Sequence, residues 1–120
     1  MGDLDHATLR QATRDVDICV NPTFADEWGL VPIEALASGI PVLGSSYAQS
    51  VETIVKDGHN GWTFFTDDEE SVAKAIEAAM ACSNEQLAEM QDACRQSVAH
   101  INPEATAACF ANVIRHALPL

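Results

Sequence analysis

Short apolar runs alternate with helical patterns along this chain, and that alternation constrains its fold more than any other feature. Ile18-Cys19-Val20, Pro41-Val42-Leu43 and Trp62-Thr63-Phe64-Phe65 each have the form of a buried strand. The first is closed by Asn21-Pro22, where proline cannot donate to a ladder. The segments between the runs carry helical spacing, so successive strands are joined by crossovers and the sheet is expected to be parallel.

The helical segments carry their own stops. Asp5 is placed to cap a helix running to about Arg14, with Leu9, Ala12 and Val16 inward. Leu30 to Ser38 reads as a helix with Leu30, Ile33 and Ala37 on one face and Gly39 closing it in a left-handed cap. Val51 to Val55 is a short helix ending at Lys56-Asp57-Gly58, and His59-Asn60-Gly61 turns into the third strand. Thr66 and Glu69 are expected to form a capping box for a helix burying Val72, Ile76, Ala79 and Met80. Ser83 and Gln86 repeat the box for a helix with Leu87, Met90, Cys94 and Val98 inward. Asn102-Pro103 starts a last helix bearing Phe110, Val113, Ile114 and Ala117.

No repeat, low-complexity stretch or linker interrupts this series, so residues 1–120 read as one domain. Three strands are few, because open α/β sheets usually have about five or six. The expected fold is therefore α/β, a Rossmann-like partial parallel sheet of about three strands flanked by helices, with two to three C-terminal helices. It reads as the later half of a doubly wound domain.

Charge narrows the partners. Eighteen acidic residues against six basic ones give a formal net charge of −12, while 48% of residues are apolar, as in a packed domain. Binding to DNA or RNA depends on Lys and Arg meeting phosphates, so no nucleic-acid partner is expected, nor adhesion to an anionic membrane. The four cysteines show no C-x-x-C spacing that would suggest a zinc or redox site and read as reduced thiols packed as small hydrophobes. With no signal-peptide pattern or membrane-length apolar run, the expected setting is cytoplasmic.

The stretch Asn21 to Val42 carries the chemistry. It leaves the carboxyl end of a strand, crosses a loop and opens a helix, which is where open α/β sheets bind ligands. The N–H groups of Gly29, Leu30 and Val31 at the helix start form an anion site, and Pro32 fits a first turn that leaves its N–H without a partner. Asp26 stands in the loop and Glu34 about 6 to 8 Å along the helix axis from its start, so both carboxylates are expected to reach one ligand. Carboxylates accept from paired sugar or ribose hydroxyls. A nucleotide sugar, with hydroxyls at each end and a diphosphate between, fits acids beside an anion site. The simpler roles of Asp26 or Glu27 as a helix cap and of Glu34 as a dipole partner stand beside this.

These residues resemble the donor-binding motif of family-4 (group 1) retaining glycosyltransferases of the GT-B fold, E-x-[FW]-G-L-x-x-x-E-A-x-A-x-G-x-P-V. Asp26 falls on the first acid, Trp28 on the aromatic, Gly29-Leu30 on G-L, Glu34-Ala35 on E-A, and Gly39 with Pro41-Val42 on G-x-P-V. The first acid is here Asp, one methylene shorter than the family's Glu. Further on, Ala48-Gln49 replaces the family's Gly-Gly, and Val55-Lys56-Asp57-Gly58-His59-Asn60-Gly61-Trp62 matches its V-x-D-G-x-N-G turn. Met1-Gly2-Asp3-Leu4 resembles a strand end that precedes the motif in the family.

The resemblance implies that Asp26 and Glu34 are the catalytic acids, Asp26 holding a donor-sugar hydroxyl and Glu34 the ribose. It implies that Trp28, Gly29, Leu30 and Val31 join Glu34 in binding a nucleotide-diphosphate sugar. Transfer to an acceptor would retain configuration, without a metal, a cofactor or a protein nucleophile. Family members are much longer, with an amino-terminal acceptor domain and a basic pair for the diphosphate, whereas no Lys or Arg lies between Arg14 and Lys56 here. The expectation is a glycosyltransferase fragment, inactive alone, whose sheet is completed by the missing acceptor-side part or another chain. The alternatives are a non-catalytic assembly module, self-associating through its sheet edge, and a GT-B sugar-nucleotide epimerase fragment. His6, His59, His100 and His116 match no catalytic position, and Ser45-Ser46 lacks a nucleophile context.

Overall fold

A computed structural model describes residues 5–118; the strand end read at Met1 to Leu4 lies outside them. Helix α1 (His6–Arg14) leads into β1 (Cys19–Asn21), α2 (Leu30–Ala37), β2 (Val42–Ser45), α3 (Gln49–Ile54), β3 (Gly61–Phe64), α4 (Glu69–Met80), α5 (Asn84–Val98) and α6 (Pro103–Ala117). The strands form one parallel sheet in the order β1-β2-β3, with Cys19 opposite Val42 and Leu43 opposite Trp62. The fold is thus the expected α/β arrangement, with the three helices α4 to α6 at its carboxyl side.

The core lies around β2, all of whose residues are buried. Leu36 of α2, Val51 of α3, and Trp62 and Phe64 of β3 close on it, and Met90, Cys94 and Val98 of α5 pack on the same core cluster. Because α2 packs against both the sheet and α5, its buried residues are Pro32, Ile33, Ala35 and Leu36, while Leu30 and Ala37 are exposed, unlike the face expected. Gly39 does take the left-handed conformation, with φ 82°.

The expected buried stripe of α4 also needs correction. Ala75 and Ala79 are buried and Val72 half-buried, but Ile76 is exposed and Met80 is 81% exposed. Helix α4 packs mainly on β3, an edge strand, so it has about one strand's width beneath it, and small residues suffice against Trp62 and Phe64. No residue of α1 or α6 is buried. Leu9 and Val16 are exposed, and Phe110, Val113 and Ile114 form an exposed face.

The Asp57 to Gly61 turn is architectural. Asn60, wholly buried, accepts from the Lys56 N–H at 2.7 Å and donates to the Ile54 carbonyl at 3.1 Å. Asp57 accepts from the Thr63 N–H at 2.7 Å. Gly61 lets β3 approach β2: a β-carbon there would lie 2.1 Å from the Val42 carbonyl oxygen. The Cys94 thiol donates to the Asn60 carbonyl at 3.6 Å, and burial pushes its pKa up to about 11. All four cysteines are unpaired, but only Cys94 is buried and Cys109 is exposed, which corrects the reading of all four as packed.

Candidate functional site

The loops leaving the carboxyl ends of the three strands are tied together. The Asp26 N–H donates to the Tyr47 carbonyl at 3.2 Å and the Ser50 N–H to the Trp28 carbonyl at 2.9 Å, which joins the β1–α2 loop to the start of α3. Thr66, after β3, places its Oγ1 2.8 Å from the Thr23 carbonyl oxygen and 2.7 Å from Ser45 Oγ. The Tyr47 hydroxyl donates to Asp67 at 2.8 Å, and its ring meets Phe65 edge-on at 5.7 Å. Thr66 is therefore a loop tie and not the expected helix cap. Asp68 takes that role, accepting from the N–H groups of Glu70 and Ser71, because the helix starts two residues later than a Thr66 cap requires. The expected Ser83–Gln86 capping box is present at α5.

Helix α2 begins at Gly29, with φ 81° and ψ 105°, and has no side-chain cap. Neither Asp26 nor Glu27 caps it. Among the described residues the N–H groups of Gly29, Leu30 and Val31 donate to no protein acceptor, so they face outward as the positive end of the helix dipole. A β-carbon on Gly29 would stand 3.1 Å from Asp26 Oδ2 and 3.3 Å from Ser50 Oγ. The absent side chain lets the Asp26 carboxylate and the Ser50 hydroxyl close on the backbone at the start of α2. Trp28, Leu30 and Val31 are exposed around it.

Two buried side-chain polar atoms lack partners among the described residues, Asn21 Nδ2 and Ser50 Oγ. Asn21 ends β1, and Ser50 lies in the first turn of the helix that follows β2. Elsewhere buried polar side chains such as Asn60 and Ser45 are paired. Unsatisfied hydrogen-bonding capacity thus gathers at the carboxyl end of the sheet.

Glu34 opens onto a groove of about 650 Å³ between α1, α2 and β1, shared with Leu9, Val20 and Val31. It lies about 7.5 Å along the helix from Gly29 at ~1.5 Å per residue. The structure therefore brings Asp26, Trp28, Gly29 and Ser50 together and sets Glu34 in the adjoining groove, with Val31 at the junction. A ligand meeting both acids must be elongated. Neither carboxylate makes a hydrogen bond or ion pair among the described residues. Arg10, Arg14 and Arg95, three of the six basic residues, line an adjoining hollow of about 450 Å³ beside Gly39 and Pro41, before β2, and Arg10 also lines the Glu34 groove. Ser50 and Tyr47 were not singled out by the sequence reading; a serine beside Val51 in a short helix is the one trace Ser50 leaves there.

A family model described as glycosyl transferases, group 1, matches residues 1–97. The chain belongs to this family. Among curated relatives, D-inositol 3-phosphate glycosyltransferase 2 of Catenulispora acidiphila is 32% identical over 92% of this chain and 25% of its own length. The GtfA subunit of the UDP-N-acetylglucosamine–peptide N-acetylglucosaminyltransferase of Streptococcus pneumoniae is 29% identical over 64% of this chain and 16% of its own. This group 1 chain thus spans a quarter or less of the length of these two relatives.

Solved structures agree. Sucrose-phosphate synthase from Thermosynechococcus elongatus superposes with a TM-score of 0.79 at 28% identity, over 97% of this chain and 29% of that one. The C-terminal domain of a group 1 family protein from Francisella tularensis gives 0.68 at 20% identity, over 82% of this chain and 50% of that one, a likeness of fold alone. The group 1 chain has the architecture of the later part of a GT-B carboxy-terminal domain.

Proposed function

We propose that this chain is the donor-binding part of a retaining glycosyltransferase and that the start of α2 receives a nucleotide-diphosphate sugar. The observation that carries the reading is the uncapped helix start at Gly29, with Asp26 on one side and Glu34 one groove away. The N–H groups of Gly29, Leu30 and Val31 suit phosphate oxygens, and the indole of Trp28 flanks them. Asp26 accepts from a hydroxyl of the donor sugar and Glu34 from the ribose, which matches the elongated ligand the two hollows require.

In this reading the protein binds and orients, and the acceptor attacks the sugar on the face the diphosphate leaves. No metal or protein nucleophile takes part. The N–H groups at the start of α2 meet part of the diphosphate's charge, and Arg10 lines the groove onto which Glu34 opens. The 120 residues alone bind without transferring. Unpaired cysteines suit a reducing compartment, and we place the reaction in the cytoplasm.

Calorimetry with UDP, GDP and ADP tests this, with Glu34→Ala in parallel. Loss of a hydrogen bond to a charged group is worth about 1.5–3 kcal/mol, so the variant should bind its nucleotide at least tenfold more weakly. Equal heats for the two proteins would remove Glu34 from the site. Sugar transfer by the 120 residues alone would refute the silence.

A further inference from the structure

We propose that the hollow at the amino ends of β1 and β2 binds a phosphorylated sugar, its phosphate on Arg10, Arg14 and Arg95 and its hydroxyls on the acceptors beside them. The chain has 18 acids and six basic residues, yet three of the six line this one hollow of about 450 Å³. They come from two sides, Arg10 and Arg14 from α1 and Arg95 from α5. Arg95 is seated: its Nη1 donates to Asp92 at 3.2 Å, and its guanidinium lies against Gly39, where a β-carbon would meet Nη2 at 2.6 Å. Arg10 and Arg14 form no ion pair among the described residues, and Asp17 is the one acid among those that line the hollow. Like charges so gathered repel one another, and a compact anion between them relieves the repulsion.

The rest of the lining selects the ligand. A guanidinium fork pairs with phosphate oxygens through two parallel bonds, and a phosphate dianion has oxygens for more than one fork. The hydroxyls of Thr13 and Ser38 donate to the Leu9 and Glu34 carbonyls at 2.8 Å and 2.9 Å, so beyond those bonds they can only accept. The carboxylate of Asp17 likewise only accepts. Acceptors beside a phosphate site call for a ligand with hydroxyls to give, which a sugar phosphate has. A nucleic-acid strand would instead bring its whole charge against a chain of net charge −12. Gly39 stands about 15 Å along α2 from Gly29 at ~1.5 Å per residue, so the ligand sits at the other end of the helix from the candidate donor site. Arg14 and Arg95 lie outside the Glu34 groove, and only Arg10 lines both.

Calorimetry on the 120-residue chain with glucose 6-phosphate, glucose, inorganic phosphate and UDP tests the site, with Arg14→Gln, Arg95→Gln, Thr13→Val and Arg115→Gln in parallel. Glucose 6-phosphate should bind more tightly than inorganic phosphate, with an affinity that falls as salt rises, and glucose should not bind. Arg14→Gln and Arg95→Gln should each weaken the sugar phosphate about tenfold, the effect of one charge-assisted hydrogen bond. Both arginines are exposed, so these variants should melt close to the parent, which is measured alongside. Thr13→Val should weaken the sugar phosphate by about threefold to tenfold and leave inorganic phosphate unchanged. Arg115→Gln, on α6 and outside the hollow, should change neither. No binding of glucose 6-phosphate by the parent chain would overturn the proposal. An equal loss in Arg115→Gln would also overturn it, by showing attraction to charge in general. Inorganic phosphate bound as tightly as the sugar phosphate would overturn the part given to the acceptors. Displacement of glucose 6-phosphate by UDP would overturn the hollow as a site of its own. Failure of UDP to bind, with glucose 6-phosphate bound and lost in the arginine variants, would refute the donor-site reading and support this site.

Discussion

Asp26 reaches over Gly29, its Oδ2 lying 3.1 Å from the point a β-carbon on that glycine would occupy. The glycine also holds φ at 81°, where side chains are strained. Gly29→Ala should therefore cost about 1–3 kcal/mol from backbone strain. The added methyl should also crowd Asp26 and Ser50. The measurements are a urea midpoint and calorimetry with the nucleotide found to bind. A variant as stable as the parent would show that the loop relaxes freely.

Two other glycines separate space from conformation. At Gly61 a β-carbon would meet the Val42 carbonyl oxygen at 2.1 Å, within the β2–β3 pair. Gly58 has φ 71° but open space around it. Gly61→Ala should cost upward of about 4 kcal/mol and yield little folded protein, because backbone must move against backbone. Gly58→Ala should cost about 1 kcal/mol from strain alone. Equal midpoints in urea for the two variants would show that β3 shifts away without loss.

Tyr47 is the single tyrosine of the chain, so ultraviolet titration of phenolate reads it directly. The hydrogen bond to Asp67 raises its pKa, with desolvation and the charges of Asp67 and Asp68 acting the same way. A raised folded pKa means the folded state holds the proton more tightly. The associated stability is complete below the usual value near 10 and is lost as pH rises through the folded pKa. The midpoint should exceed that of free tyrosine, and Asp67→Asn should lower it. A midpoint unchanged by Asp67→Asn would place the Asp67 carboxylate away from the phenol.

The parallel sheet was legible because Cys19-Val20 and Val42-Leu43 are apolar runs bounded by Pro and Gly, and the start of α2 because Gly29 and Pro32 mark it. What the sequence could not supply was width. Ile76 and Met80 match a helical stripe as well as Ala75 and Ala79 do, and the narrowness of an edge strand leaves them outside. The site divides in the same way. Asp26 and Glu34 stand out as charges at telling spacing, whereas Ser50 becomes notable only when its neighbours show that no side chain or carbonyl meets its hydroxyl. Thr66 misled for a related reason: a Thr three residues before a Glu fits a capping box, and only the fold shows the hydroxyl turned to another loop.

Thr66 supplies the last prediction, because its two readings give opposite expectations. A hydroxyl has one hydrogen, so when Thr66 donates to the Thr23 carbonyl, its contact with Ser45 is one in which Ser45 donates. Ser45 in turn accepts from the Tyr47 N–H at 3.2 Å, which completes a chain through all three carboxyl-end loops. Thr66→Val keeps the shape and removes the link, leaving the buried Ser45 hydroxyl without its acceptor. The cost should be about 1–3 kcal/mol, with the helical far-ultraviolet signal unchanged. Glu69→Ala should have almost no effect, since no capping box involves it, whereas Asp68→Ala should cost about 0.5–2 kcal/mol by uncapping α4. Thermal and urea unfolding of the three variants distinguish the cases. A large loss at Glu69 with little at Asp68 would restore the capping box and break the tie between the loops.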